Sequence, residues 1–155
     1  MEIKELASLF STRFGIDGLN AENGQFAIDV DDIIMLVEDT QGDTITVTGL
    51  VGEAPADGAD VFASMLLDSN MSTFANEGFV FGRNGDNGNY VMMMRFDKMS
   101  LDIDAFSARL ENFTNRLSEW RKALEDFRPV AAIAKENASE QPSLFDNASS
   151  GFITV

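Results

Sequence analysis

The chain reads as an α+β protein, an antiparallel five-stranded sheet with three helices in the order α-β-β-β-α-β-β-α. Three observations predict it. From about Asp102, the residues Phe106, Leu110, Phe113, Leu117, Trp120, Leu124 and Phe127 recur at alternating spacings of four and three, one apolar stripe down a helix. Upstream, Phe26, Ile28 and Val30 alternate with Ala27, Asp29 and Asp31, and Ile45, Val47 and Val51 with Thr44, Thr46 and Thr48. That is the period of strands with one core face and one wet face. The connections Gln41–Asp43 and Arg83–Gly88 have hairpin length and turn chemistry, so the strands they join are antiparallel neighbours with the helices segregated on the sheet.

Each element has its own signal. Glu2–Arg13 reads as an amphipathic helix with Ile3, Leu6, Leu9, Phe10 and then Phe14 on one side. Gly15 and Gly18 end it, and Ile16–Gly24 is a loop. Strands follow at Phe26–Asp31, Ile33–Val37 and Asp43–Val51, then a connector, Gly52–Gly58, holding Pro55. Asp57–Asn70 is a second helix carrying Phe62, Met65 and Leu66, while Met71–Gly78 suits either an extra turn or a loop. Phe79–Gly82 and Asn89–Phe96 are the last strands. The third helix, capped by Asp102, stops before Pro129. Residues 1–128 are expected to form a single domain. From Pro129 to Val155 the composition turns to Ala, then Ser, Asn, Gln and Pro, which predicts a weakly ordered tail with one short helix near Val130–Asn137.

Composition narrows the function. A chain of 155 residues with 45% hydrophobic content can bury roughly 70% of its unfolded surface without staples. It has no Cys, hence no disulfide and no thiolate metal site, and no His, the commonest general base and metal ligand. The start, Met1–Leu6, lacks the pattern of a secretory signal, and an apolar run such as Ile33–Val37 is far below the ~20 residues that span a bilayer. A bacterial cytoplasmic protein is expected. A net charge of −15 and a pI near 4.1 disfavour nucleic acid and membrane as partners and favour a basic or neutral polypeptide.

No motif carries catalysis, metal or cofactor. Asn84–Gly88 lacks the ligand order and closing Glu of a calcium loop and is what a hairpin turn needs. Asp29, Asp31 and Asp32 suggest a solvated face, and no phosphate-cradling loop is present. What stands out is apolar surface beyond the need of one chain. Ile33–Val37 and Tyr90–Met94 offer apolar side chains to both faces, and the three consecutive Met are flexible and polarizable, as on surfaces that accept varied partners. Three helices are short of material to cover both faces, which points to homodimerisation and capture of a partner.

At this point the pattern resembles the class I chaperones of type III secretion, the Tir chaperone (CesT-like) family, over about Leu6 to Phe127. The resemblance rests on element order, acidity and a loose signature: Phe62–Asn70, Phe74, Gly78–Gly82, Tyr90–Phe96, Ser100–Phe106 and the helix with Leu110, Phe113, Leu117, Trp120 and Leu124. It implies a secretion-chaperone-like fold and a cytoplasmic homodimer that, without ATP hydrolysis, keeps the N-terminal region of an effector extended, soluble and export-competent. The resemblance also implies the secretion ATPase as a partner. Carried over by position, Phe62, Met65, Leu66, Phe79 and Phe81 form the dimer interface. Leu6, Leu9, Phe10, Phe14, Phe26, Ile28, Ile34, Leu36, Met92 and Met94 form the effector-binding patches. The alternative is a YbjN-like regulatory or scaffold protein of the same fold. A third reading, a carboxylate-based hydrolase, predicts a deep pocket with paired acids about 5–10 Å apart.

Overall fold

Residues 1–40 and 42–129 are described by a computed structural model. The chain runs α1 (Ile3–Phe14), β1 (Gln25–Val30), β2 (Ile33–Thr40), β3 (Thr44–Gly52), α2 (Ala59–Glu77), β4 (Phe79–Arg83), β5 (Tyr90–Asp97) and α3 (Ile103–Glu125), which is the expected order. The tail expected beyond Pro129, with its short helix, lies outside the described residues.

One antiparallel sheet has the strand order β1-β2-β3-β5-β4, so β1 and β4 are its edges. β1 and β2 are joined by Asp31 and Asp32 alone, both in the left-handed region, as a two-residue hairpin turn matching the strand twist requires. Asp31 is therefore a turn residue, not the wet-face strand residue that the alternation suggested. Along each strand every second side chain enters the core: Phe26 and Ile28, Ile33, Met35 and Val37, Ile45, Val47 and Val51, Phe79 and Phe81, and Tyr90, Met92, Met94 and Phe96.

On this inner face lies α3, whose stripe buries Phe106, Leu110, Phe113 and Leu117 and leaves Trp120, Leu124 and Phe127 half-buried. The Asp102 carboxylate accepts the Ala105 N–H at 2.7 Å and caps the helix as expected. α1 packs beside α3, with Leu6 and Phe10 buried and the Phe10 ring edge-on to Phe106 at 5.9 Å. α3 comes close to the sheet at Gly49, where a Cβ would lie 3.2 Å from the Phe113 ring and inside van der Waals contact with Leu117.

The second helix is longer than Asp57–Asn70: it absorbs Met71–Glu77 and ends at Gly78, whose left-handed backbone lets its N–H bond the Phe74 and Thr73 carbonyls. Buried Thr73 extends the inward stripe of Phe62 and Leu66. α2 thus runs alongside β4, with Phe62 stacked on Tyr90 and the Tyr90 hydroxyl donating to the Ala59 carbonyl at 2.9 Å.

Candidate functional site

Three surfaces carry the apolar side chains the core does not use. The first is a groove of about 750 Å³ between the end of α1, the β1 edge and α3. Phe14 and Ile16 form one wall, Phe10, Ile28 and Leu110 the floor, and Asp29, Asp31, Asp104 and Glu111 an exposed acidic rim. Phe14 is held there by Phe10, ring centroids 4.5 Å apart, and Arg13 is anchored to Asp104 by an ion pair.

Beside this groove the sheet edge is open among the described residues. The Asp39 N–H donates to the Gly24 carbonyl opposite it, so by antiparallel alternation the main chains of Phe26, Ile28 and Val30 face β2 and those of Gln25, Ala27 and Asp29 face outward. Glu22 exchanges both main-chain hydrogen bonds with Gln25. Among the described residues nothing takes the N–H and C=O of Ala27 or Asp29. The opposite edge differs, because the Asn70 side chain bonds the main chain of Phe81 in β4.

The second surface is the outer sheet face, which no helix of the described chain covers. Register brings Ala27, Leu36, Thr48, Met93 and Val80 into one row across all five strands, with exposed Ile34 and Leu50 and half-buried Val91 beside it. The third is α2 itself, apolar on both flanks of its buried stripe: Val61 and Met65 on one, Leu67, Met71 and Phe74 on the other, all exposed. Its hydroxyls turn inward, Ser64, Ser69 and Thr73 each donating to a carbonyl four residues back.

Every acid of the groove is at the exposed rim, unlike the deep pocket with paired acids that the hydrolase reading predicts. Among the described residues no group of His, Cys, Asp and Glu is placed to hold a metal. A polar cleft between α2 and α3 is spoken for by ion pairs: Arg116 grips the Glu77 carboxylate with two nitrogens, at 2.8 and 3.2 Å, and Glu119 at 2.6 Å. Those bonds, Glu77 first, raise the Arg116 guanidinium above its ordinary value. Burial lowers that of Arg109, which donates to the Arg95 carbonyl. No helix of the described chain is long and apolar enough to cross a membrane.

The sequence matches the Tir chaperone protein (CesT) family over residues 5–121. The chain belongs to that family. Solved structures share its fold, a type III secretion chaperone among them. The chain in the ExsC–ExsE complex aligns at 16% identity over 80% of this chain and 97% of its own, TM-score 0.69. One from the HopA1–SchA chaperone–effector complex gives 19% identity over 77% and 93%, TM-score 0.67. One from the Yersinia pestis complex of the type III secretion chaperone SycH with a YscM2 fragment gives 10% over 76% and 98%, TM-score 0.61. No curated protein sequence matches the chain.

Against the CesT-family pattern, the residues singled out in the sequence divide by burial. Leu9, Phe14 and Ile34 are exposed and Leu36 is half-buried on the outer face. Leu6, Phe26, Met92 and Met94 are sealed in the core, while Phe10 and Ile28 have only enough surface to floor the groove. Of the dimer set, Met65 is exposed; Phe62, Leu66, Phe79 and Phe81 are core. Residues closed off in this way hold the surface in shape. Their neighbours do the outward-facing: Met93 between Met92 and Met94, Val80 between Phe79 and Phe81, Leu67 beside Leu66. Ile16, Leu67, Met71 and Phe74 were not singled out as contact residues. Residues 67, 71 and 74 form a helical stripe whose last two members lie in Met71–Gly78, the stretch the sequence leaves open between an extra turn and a loop.

Proposed function

We propose that this chaperone of type III secretion receives the N-terminal region of an effector as an added strand on β1, with alternate apolar side chains in the groove of Phe14 and Ile16. The supporting observation is the coincidence of an unpaired strand edge at Ala27 and Asp29 with that groove. Main-chain bonds to the edge supply affinity without reading sequence, and the wall selects apolar residues at every second position. Basic residues of the effector meet the acidic rim.

Fixing each guest residue costs ~1–2 kcal/mol of backbone entropy, and each buried apolar anchor returns ~1.5–3 kcal/mol. A few anchors on a short strand therefore bind usefully, while the rest of the guest stays unfolded and ready for export. No nucleotide is needed, and release falls to the secretion machinery, the secretion ATPase included. The chain acts in the bacterial cytoplasm, catalyses nothing, and works as a homodimer. The flanks of α2 support that last reading: exposed Val61, Met65, Leu67, Met71 and Phe74 lie on either side of its buried stripe, apolar area that a second copy would cover. Nothing in the fold or groove favours the regulatory alternative.

The test is calorimetry with the N-terminal segment of the effector recovered by pull-down from the host. Phe14→Asp and Ile16→Asp should each weaken binding at least about tenfold, the loss of one anchor, and leave the unfolding midpoint unchanged. Full affinity in the double variant would place the guest elsewhere.

A further inference from the structure

We propose that Asn70 locks the β4 edge shut and so restricts strand addition to β1. The inference rests on the guest-strand reading above. β4 is the other edge strand of the sheet, with α2 alongside it, and is better suited to pairing than β1, since Phe79, Val80 and Phe81 all favour strands. Its outward groups can be identified. The Asn84 N–H donates to the Asn89 carbonyl, so Gly82 and Val80 bond β5 and Phe79, Phe81 and Arg83 face away from the sheet. Phe81 is the middle of those three, the position any incoming strand must use.

Asn70 occupies it completely. Its Nδ2 donates to the Phe81 carbonyl at 3.1 Å and its Oδ1 accepts the Phe81 N–H at 2.6 Å. One side-chain amide thereby imitates the main chain of a neighbouring strand. Helix formation does not explain the residue: Asn is a poor helix former and sits mid-way in α2. Its polar neighbours Ser69 and Thr73 satisfy themselves on helix carbonyls, whereas Asn70 alone reaches across to the strand. The edge is closed by α2 lying alongside it, and within that contact by one amide rather than by a charge or a bulge. An extended apolar guest then meets one open edge per chain, in one register, and two copies cannot pair through β4.

The measurement is amide hydrogen exchange by NMR on the full chain, alone and with a synthetic peptide of alternating Val and Lys. Asn70→Leu keeps the volume and removes both bonds; Asn70→Ala serves if the Leu variant does not fold. Without peptide, Phe81 N–H exchange should speed up about tenfold while the global unfolding midpoint moves little, and the variant should associate beyond the wild-type state. Unchanged Phe81 protection overturns the lock. With peptide, the wild type should gain protection at Ala27 and Asp29 only, and Asn70→Leu at Phe81 as well. Peptide confined to β1 in a variant whose Phe81 has opened overturns the restriction. Peptide that protects neither Ala27 nor Asp29 in the wild type counts against the guest-strand reading instead, and Phe81 exchange in the peptide-free protein still decides the lock.

Discussion

Lys98 shows how a single side chain ties distant parts of the chain. It is buried, with Nζ 2.8 Å from both oxygens of Asp39 and 3.5 Å from Glu2. It follows β5 and so pins the end of β2 to the start of α1. The hydrogen bond to Asp39, then the charges of Asp39 and Glu2, raise its ammonium above the ordinary 10.5 against the opposing effect of burial. A folded-state value above the unfolded one means that this stabilisation is fully present at neutral pH and is lost as pH rises through the raised value. Lys98→Met should therefore lower the melting temperature at about pH 8, and the gap to wild type should close above 10.5. A gap constant with pH would mean that the lysine acts through packing alone. Gly49 makes the opposite kind of contribution, by having no side chain where α3 meets the sheet. Gly49→Ala should cost about 1–3 kcal/mol in urea unfolding, because Leu117 and Phe113 around it are fully buried.

At the scale of elements, the proposed function rests on the two edges and the second helix. α3 and α1 spend their apolar stripes on the inner face, and α2 spends only part of its own. Met71 is 83% and Phe74 65% exposed, so an Asp at either disturbs nothing in the subunit. Met71→Asp with Phe74→Asp should shift self-association to at least about tenfold higher concentration, measured by light scattering, with the circular dichroism spectrum unchanged. A double variant that associates like the wild type would move the dimer interface off this flank. The same logic separates Phe14 from Phe10: an Asp at exposed Phe14 tests binding, whereas at Phe10, 4% exposed, it tests only folding.

Across the whole molecule, 26 acidic against 11 basic residues set a strongly negative surface around the exposed Leu, Met and Phe, a charge that favours basic guests on the reading proposed above. Association with an effector segment should slow as salt is raised, while dissociation changes little, because long-range attraction is screened and the buried anchors are not. Stopped-flow kinetics in low and high salt separate the two rates. A salt-dependent off-rate with a constant on-rate would assign the rim to holding the guest rather than attracting it.

The sequence by itself determined the elements and their order, because helical and strand periods, hairpin turns and caps such as Asp102 are local signals. It also determined that apolar side chains exceed what one chain can bury, since Ile33–Val37 and Tyr90–Met94 have no polar face. Only the tertiary structure decided which side of those strands is the inside. A period of two says that Met92 and Met94 share a face and Met93 the other, but not where α1 and α3 will dock. The same holds for β4 lying outside β5, for Asn70 meeting Phe81 and for Lys98 meeting Asp39: each joins groups that no local pattern relates, and only the folded chain brings them within a hydrogen bond.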